Sequence, residues 1–392
     1  MKGTEMKQIY LDYAATTPMD PEVVKEIQPY FSKIYGNPSS IHSFGRDAKK
    51  AIDESRNKIA TILGARTEEL VFTSGGTEAN NFAIKGIAYA NKDKGNHIIT
   101  SQIEHHAIIE PCKFLETQGF KVSYIPVDKD GIVDPNEIKK AITDKTILIS
   151  IMHANNEIGT IQPIEEIGRI AKEKNVYFHT DAVQTAGHIS LELTRFPVDL
   201  LSISAHKFYG PKGIGALFIR KGVKILPLMH GGEQENNRRA STENTAGIVG
   251  MGKALEISSE EIIKEFRRIT QLRDKLISNI LKIENTSLNG HPTKRLPNNI
   301  NVSIEFIEGE AILLNLDLKG IACSTGSACS SASNEPSHVL TALKIAPEVC
   351  RSSLRFSLGK YTTEKDIDCV SETLKDVVDK LRKMSPLYKK RN

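Results

Sequence analysis

The chain of 392 residues has few cysteines, no long apolar run and little surplus charge. Its five cysteines, at positions 112, 323, 329, 350 and 369, form no Cys-x-x-Cys pair. That spacing argues against a zinc ribbon. With a polar start from Met1 to Gln8, unlike a secretion signal, it points to reduced thiols rather than a disulfide framework. No stretch stays apolar over the length a bilayer requires, so a cytoplasmic protein is expected, with no membrane partner. Lysine and arginine total 52 against 48 acidic residues, a net charge of +4. The one basic cluster, Lys389-Lys390-Arg391, reads as a solvated tail, so no direct nucleic-acid contact is expected. Internal repeats and low-complexity linkers are also missing. What remains is a 39% hydrophobic chain, long enough for two packed units.

From Leu70 onward, strand patterns alternate with helical ones. Strands are expected at Leu70–Thr73, His97–Ser101, Lys121–Val127, Thr146–Met152, Val176–Thr180, Asp199–Ile203 and Ile214–Ile219. Strands separated by helices imply an α/β fold, with a mostly parallel seven-stranded sheet covered on both faces. The last two strands lie too close for a helical crossover, so one antiparallel strand is expected at an edge. A long charged helical stretch from Ile248 to Ile283 then leaves the large domain, assigned to residues 16–262. Asn299–Ile304, Gly309–Lys319, Leu354–Ser357 and Thr363–Lys383 read as a smaller α+β domain, assigned to residues 1–15 and 263–392.

The chemistry gathers around Ser202-Ile-Ser-Ala-His-Lys-Phe-Tyr-Gly-Pro-Lys-Gly213. Lys207 follows a buried strand, where an amine can be aimed and desolvated for Schiff-base chemistry; a solvated surface lysine is the plainer alternative. Ser204 and His206 beside it suit a phosphate. Ser74-Gly-Gly-Thr-Glu78 joins a strand to a helix, so Gly76 and Thr77 offer uncapped N–H groups to an anion, or simply form a turn. His179-Thr-Asp181 ends another strand, and a buried carboxylate there needs a partner: a protonated pyridine nitrogen, an arginine or a backbone cap. Gln184 lies three residues on. His105 and His106 follow a strand end, where a ring could stack on a flat ligand; neither has metal-ligand spacing, and no metal is expected. A lysine, an acid for a ring nitrogen and a phosphate cup together describe pyridoxal phosphate (PLP). Asn155 and Asn156 can hold a carboxylate or satisfy a loop, and Arg355, between Leu354 and Phe356, can receive a carboxylate or make an edge ion pair. The Gly/Ser/Ala-rich run Thr325–Ser333 reads as a mobile loop presenting Cys329, a candidate nucleophile.

These motifs resemble the NifS/IscS-type cysteine desulfurases, in the class V aminotransferase-like group of PLP enzymes with type I architecture. The resemblance runs from Ile9 to about Leu387. It rests on LDYAATTP (11–18), TSGGTEANN (73–81), EHHA (104–107), HANNEIG (153–159), DAVQ (181–184), SAHKFYGPKGIGAL (204–217), STGSACSSAS (324–333) and SSLRFSLG (352–359). It implies that Lys207 attaches the cofactor and shuttles a proton, that Asp181 partners the ring nitrogen and that Gln184 meets the ring phenolate. His105 would stack on the ring and act in acid/base steps. Gly76, Thr77, Ser204 and His206 would cup the phosphate, joined by Thr242 from a second subunit of a homodimer. Asn156 and Arg355 would hold the carboxylate of L-cysteine, and Cys329 would take its sulfur as a persulfide, leaving L-alanine. A sulfur-acceptor protein, such as an iron–sulfur scaffold, is the implied partner. Glu233 and Ser241 depart from this pattern, standing where glycine is usual; a left-handed backbone would strain Ser241. Cys323 stands where serine or an aliphatic residue is commoner, and is read as packing. The chain ends at Asn392 without the longer tail by which some members dock a scaffold, so a scaffold is expected to bind differently or another acceptor to serve. The alternatives are a selenocysteine lyase and a partner-dependent sulfur-relay subunit.

Overall fold

The computed structural model describes residues 8–325 and 336–389. Cys329 lies outside them. Strand β1 (Ile9–Tyr10) is followed by helices α1 (Pro21–Ile27) and α2 (Ser43–Leu63). Asp20 caps α1 by accepting the Glu22 N–H, and Pro21 occupies a first-turn position where no N–H is needed. Gly64, at φ 67°, terminates α2 in the left-handed conformation that glycine takes without a Cβ penalty.

The central sheet follows as β2 (Leu70–Thr73), α3 (Gly76–Ala90), β3 (His97–Ser101), α4 (His106–Thr117), β4 (Lys121–Ile125), α5 (Pro135–Ala141), β5 (Thr146–Ser150), α6 (Ile164–Glu173), β6 (Tyr177–Asp181), β7 (Leu200–Ser204) and β8 (Gly215–Ile219). In space the strands run β2-β8-β7-β6-β5-β3-β4. Every residue of β2, β3, β5, β7 and β8 is buried, as strands covered on both faces require. β8 alone runs against the direction of the other six strands. It lies between β7 and β2, not at an edge, so the edge expectation is corrected. The tight β7–β8 link forces the reversal, and β2 then pairs on its far side.

The turn α7 (Gln234–Asn237) leads to the 36-residue helix α8 (Thr245–Ile280). The described chain closes with β9 (Thr286–Leu288), β10 (Asn299–Ile304), α9 (Gly309–Asp317), β11 (Ile321–Ala322), β12 (Ser324–Thr325), α10 (His338–Ala342), α11 (Pro347–Arg351), β13 (Ser353–Ser357), α12 (Glu364–Met384) and α13 (Pro386–Lys389). Strands β12-β13-β10-β9 form an antiparallel sheet, while β11 pairs in parallel with β1.

Helix α8 serves two cores. Met251 and Leu255 pack with Ile52, Phe72, Ile149 and Ile203, whereas Leu272, Leu276 and Ile280 pack with Leu11, Val302, Phe356 and Leu374. Between Leu255 and Ile269 no residue of the helix is buried. Each fully buried Leu or Ile contributes about 1.5–3 kcal/mol, so either end of α8 alone is firmly held. Val339 and Leu340 of α10 join the first cluster, although they follow strands belonging to the second. No helix among the described residues is long and apolar enough to cross a membrane.

Candidate functional site

Strands β2, β3, β5, β6 and β7 point the same way. Their carboxyl ends present Ser74–Thr77, His105, Asn156, Asp181 and Lys207, the edge at which open α/β sheets bind ligands. Lys207 closes the short turn Ala205–Lys207 that links β7 to β8. Its Nζ donates to the Ala14 and Ala15 carbonyls at 2.6 and 2.7 Å. Its own carbonyl accepts from His188 Nε2 at 3.0 Å, so the lysine is fixed at both ends of the residue.

Asp181 is buried at the end of β6. One carboxylate oxygen accepts from Asn80 Nδ2 at 2.6 Å and the other from the Val183 N–H at 2.9 Å. Burial pushes its carboxyl up, opposed by these two donors and by the nearby His105 and Lys207. His105 caps α4: its Nδ1 accepts the Ala107 N–H at 3.0 Å, which places the proton of the neutral ring on Nε2. Burial pushes the imidazole pKa down, and Lys207 and His106 add to this while Asp181 opposes it. An acid, a neutral imidazole and an amine thus share one electrostatic neighbourhood.

The glycine turn forms a cradle. A Cβ on Gly76 would lie 2.7 Å from Val183 Cγ2 and 3.5 Å from Ser204 Cβ, so only glycine leaves room there. No side chain caps the N-terminus of the 15-residue helix α3, and its N–H groups remain available to an anion. Ser204 closes this cradle. His206 instead pairs with the Thr16 hydroxyl at 3.2 Å, and burial, with Lys207 and Lys212, lowers its pKa to about 4. The uncapped cradle, the buried carboxylate and the strand-end amine fit the phosphate, ring nitrogen and aldehyde of PLP.

On the other side, Arg355 of β13 donates from Nη2 to Asp12 Oδ1 at 2.8 Å and from Nη1 to the Asn156 carbonyl at 3.1 Å. Its buried Nε has no hydrogen-bond partner, an unspent donor suited to a carboxylate. Gln184 donates to the Ala14 carbonyl at 3.1 Å, beside Lys207. Thr242 is exposed and shares a surface depression with Thr73, Ser74 and Arg239. Ser241, at φ 94°, occupies the left-handed region, so the expected strain is present. Cys323 packs against the second core, where burial and then Asp12 push its thiol up to about 12.

Several contributors carry no residue-type signal. The carbonyls of Ala14 and Ala15 meet Lys207 through backbone atoms. Asp12 and Asn80 lie within the motifs LDYAATTP and TSGGTEANN, and Asn80, four residues after Gly76, falls on the same face of α3. Glu104 is fully buried, with Ser101 Oγ at 2.6 Å and the Met152 N–H at 3.0 Å, and burial pushes its carboxyl up to about 8.

Residues 9–370 match the family described as Aminotransferase class-V. The chain is 59% identical over 381 residues to a protein of Dictyoglomus turgidum named cysteine desulfurase IscS, covering 97% of each chain. The solved structure of a NifS-like protein superposes with a TM-score of 0.91 at 40% identity, over 96% of this chain and 100% of that one. Another, described as SspA in complex with cysteine, gives a TM-score of 0.80 at 37% identity, over 91% of this chain and 100% of that one.

Proposed function

Since the chain belongs to the aminotransferase class-V family, in which it is a PLP-dependent cysteine desulfurase, we propose that it converts L-cysteine to L-alanine while Cys329 takes the sulfur as a persulfide. One substrate C–S bond breaks, a S–S bond forms on Cys329, and a hydrogen takes sulfur's place on the substrate carbon. The products are alanine and one persulfide, and no outside oxidant is consumed. Bound PLP supplies an electron sink next to the substrate amino group.

The residues divide the remaining work. Arg355, through its unspent Nε, and Asn156 hold the substrate carboxylate. Lys207 moves the proton at the substrate α-carbon, its amine aimed by the Ala14 and Ala15 carbonyls. Asp181 would hold the ring nitrogen and Gln184 the ring hydroxyl, and His105 would lie against the ring and move a proton at its Nε2. Gly76, Thr77 and Ser204 would hold the phosphate, and His206 would join them on turning from Thr16. The single observation that carries this reading is the meeting of Lys207, Asp181 and His105 beside an uncapped helix end.

We extend the reading to a cytoplasmic homodimer of large (16–262) and small (1–15, 263–392) domains. In this dimer Thr242 serves the partner subunit's phosphate. Phe31, Tyr35, Ile41 and Phe44 are large apolar side chains exposed close together in sequence, and a second subunit would cover them. The sulfur then passes to an acceptor protein for iron–sulfur cluster assembly. The deciding experiment measures alanine and Cys329 persulfide from L-cysteine in wild type, Lys207→Ala and Cys329→Ala. Wild type is expected to form both products, Lys207→Ala neither, and Cys329→Ala no persulfide. If Cys329→Ala released alanine from L-selenocysteine at the wild-type rate while neither protein used L-cysteine, the selenocysteine-lyase reading would replace this one.

A further inference from the structure

Residues 324–325 and 336–343 flank the segment that carries Cys329, and they are anchored on different cores. On the near side, Ser324 pairs with Arg355, and Thr325 with Leu354, in the β12–β13 ladder. On the far side, Val339 and Leu340 are buried in the core of the central sheet. Ser337 and Glu157 meet just before them. Ser337 Oγ donates to Glu157 Oε2 at 2.5 Å and accepts the Leu340 N–H at 3.2 Å, so one hydroxyl both caps α10 and ties it down. Both side chains are almost fully buried, at 5% and 7% exposure, where a carboxyl is costly unless it serves as an acceptor. His338 Nε2 donates to the Glu104 carbonyl at 2.9 Å, one residue before His105, and its ring lies 4.9 Å from that of His106.

The position of Glu157 in the chain gives this contact its meaning. Asn156, its neighbour, accepts Arg355 Nη1 on its carbonyl. Glu157 itself donates its N–H to Asn155 Oδ1 at 2.8 Å, and its carbonyl accepts from Asn301 Nδ2 at 3.1 Å. Both flanks of the Cys329 segment therefore converge on Arg355, one through strand pairing and the other through Glu157 beside Asn156. An apolar pair would have packed α10 at less cost than a buried carboxyl, and would have lacked a directional bond.

We propose that Glu157, Ser337 and His338 are positioning residues for sulfur transfer, fixing the start of α10, downstream of Cys329, beside the substrate-carboxylate pocket. This rests on the reading of Cys329 as the sulfur acceptor. The clip sets the approach of the thiol and leaves substrate binding to Arg355 and Asn156.

The test uses the full-length holoenzyme with Ser337→Ala, Ser337→Thr and Glu157→Gln. Cys329 persulfide is followed in a single turnover by mass spectrometry. Affinity for L-alanine, which binds without sulfur chemistry, is read from the visible spectrum. Ser337→Ala is expected to slow persulfide formation on the order of tenfold to a hundredfold, as misplaced reacting groups do, with alanine affinity unchanged. Ser337→Thr, which restores the hydroxyl, and Glu157→Gln, which keeps an oxygen acceptor, are expected to recover most of the rate. Wild-type transfer by Ser337→Ala, an equal fall in affinity and rate, or failure of threonine to rescue would overturn the proposal. A wild-type enzyme that bound L-cysteine yet left Cys329 unmodified would overturn the desulfurase reading, and this inference with it. Defects confined to alanine affinity in the variants would overturn the clip alone.

Discussion

Ser241 shows how one side chain can be read for its cost. At φ 94° a Cβ crowds the backbone, whereas glycine would not. The left-handed conformation costs a non-glycine residue about 1–2 kcal/mol, and glycine's extra freedom in the unfolded chain returns about 0.5–1 kcal/mol of that. Ser241→Gly is therefore expected to stabilise the protein by about 0.5 kcal/mol, seen as a small upward shift in the urea midpoint with an unchanged slope. This position is legible only through the family resemblance, which puts glycine where Ser241 stands; the residue order GGEQENNRRAST alone does not mark it. The backbone acceptors of Lys207 are not legible in the same way. Any residue has a carbonyl, so Ala14 and Ala15 give no clue from their identity.

Among the elements, the strands are the most legible. Leu70–Thr73 and His97–Ser101 agree residue for residue with the apolar runs that announce them, and the other five sheet strands agree within two residues at either end. Short pieces escape. β11 and β12 have two residues each and α10 has five, too few for any periodicity to emerge. The start of α3 is hidden too, since Gly76 looks like a turn residue and only the fold makes it helical.

The turn α7 is illegible for another reason: Glu235, Asn236 and Asn237 all have positive φ. A tertiary bond holds them there. Glu235 receives Arg56 in a two-pronged ion pair at 2.5 and 2.9 Å, and also accepts the Phe72 N–H at 2.9 Å. Both side chains are largely buried, so Glu235→Ala leaves Arg56 uncompensated and is expected to cost about 3–5 kcal/mol in urea unfolding. Glu235→Gln, which still accepts from Phe72, is expected to cost less.

For the whole molecule, buried titratable groups shape stability against pH in two opposing ways. Burial lowers His153 from 6.5 to about 4 and His179 from 6.5 to about 3. Below pH 6.5 the unfolded chain takes protons that these folded imidazoles refuse, so their contribution is lost as pH falls toward those values. Burial raises Glu104 from 4.5 to about 8 and Glu157 from 4.5 to about 7. There the folded state keeps protons the unfolded chain has released, so their contribution is complete below pH 4.5 and is lost as pH rises toward 8. Stability is expected to decline between pH 6.5 and 8. Glu104→Gln should flatten that decline in melting curves recorded across the interval; an unchanged slope would remove Glu104 as its source.

The way the two ends of the chain meet has a consequence for how the molecule is made. Ala14 and Ala15 hold the amine of Lys207, β1 pairs with β11, Asp12 binds Arg355, and the Ala14 N–H donates to Ser357 Oγ at 2.8 Å. The segment Ile9–Ala15 is made early, yet part of what holds it, in β11, Arg355 and Ser357, is made late. Until then a nascent chain can form much of its central sheet, while Ala14 and Ala15 lack the β11 and Ser357 contacts that steady them beside Lys207. Completion of the pocket around Lys207 thus waits on synthesis through Ser357, and a polypeptide ended before it would lack a finished place for the cofactor.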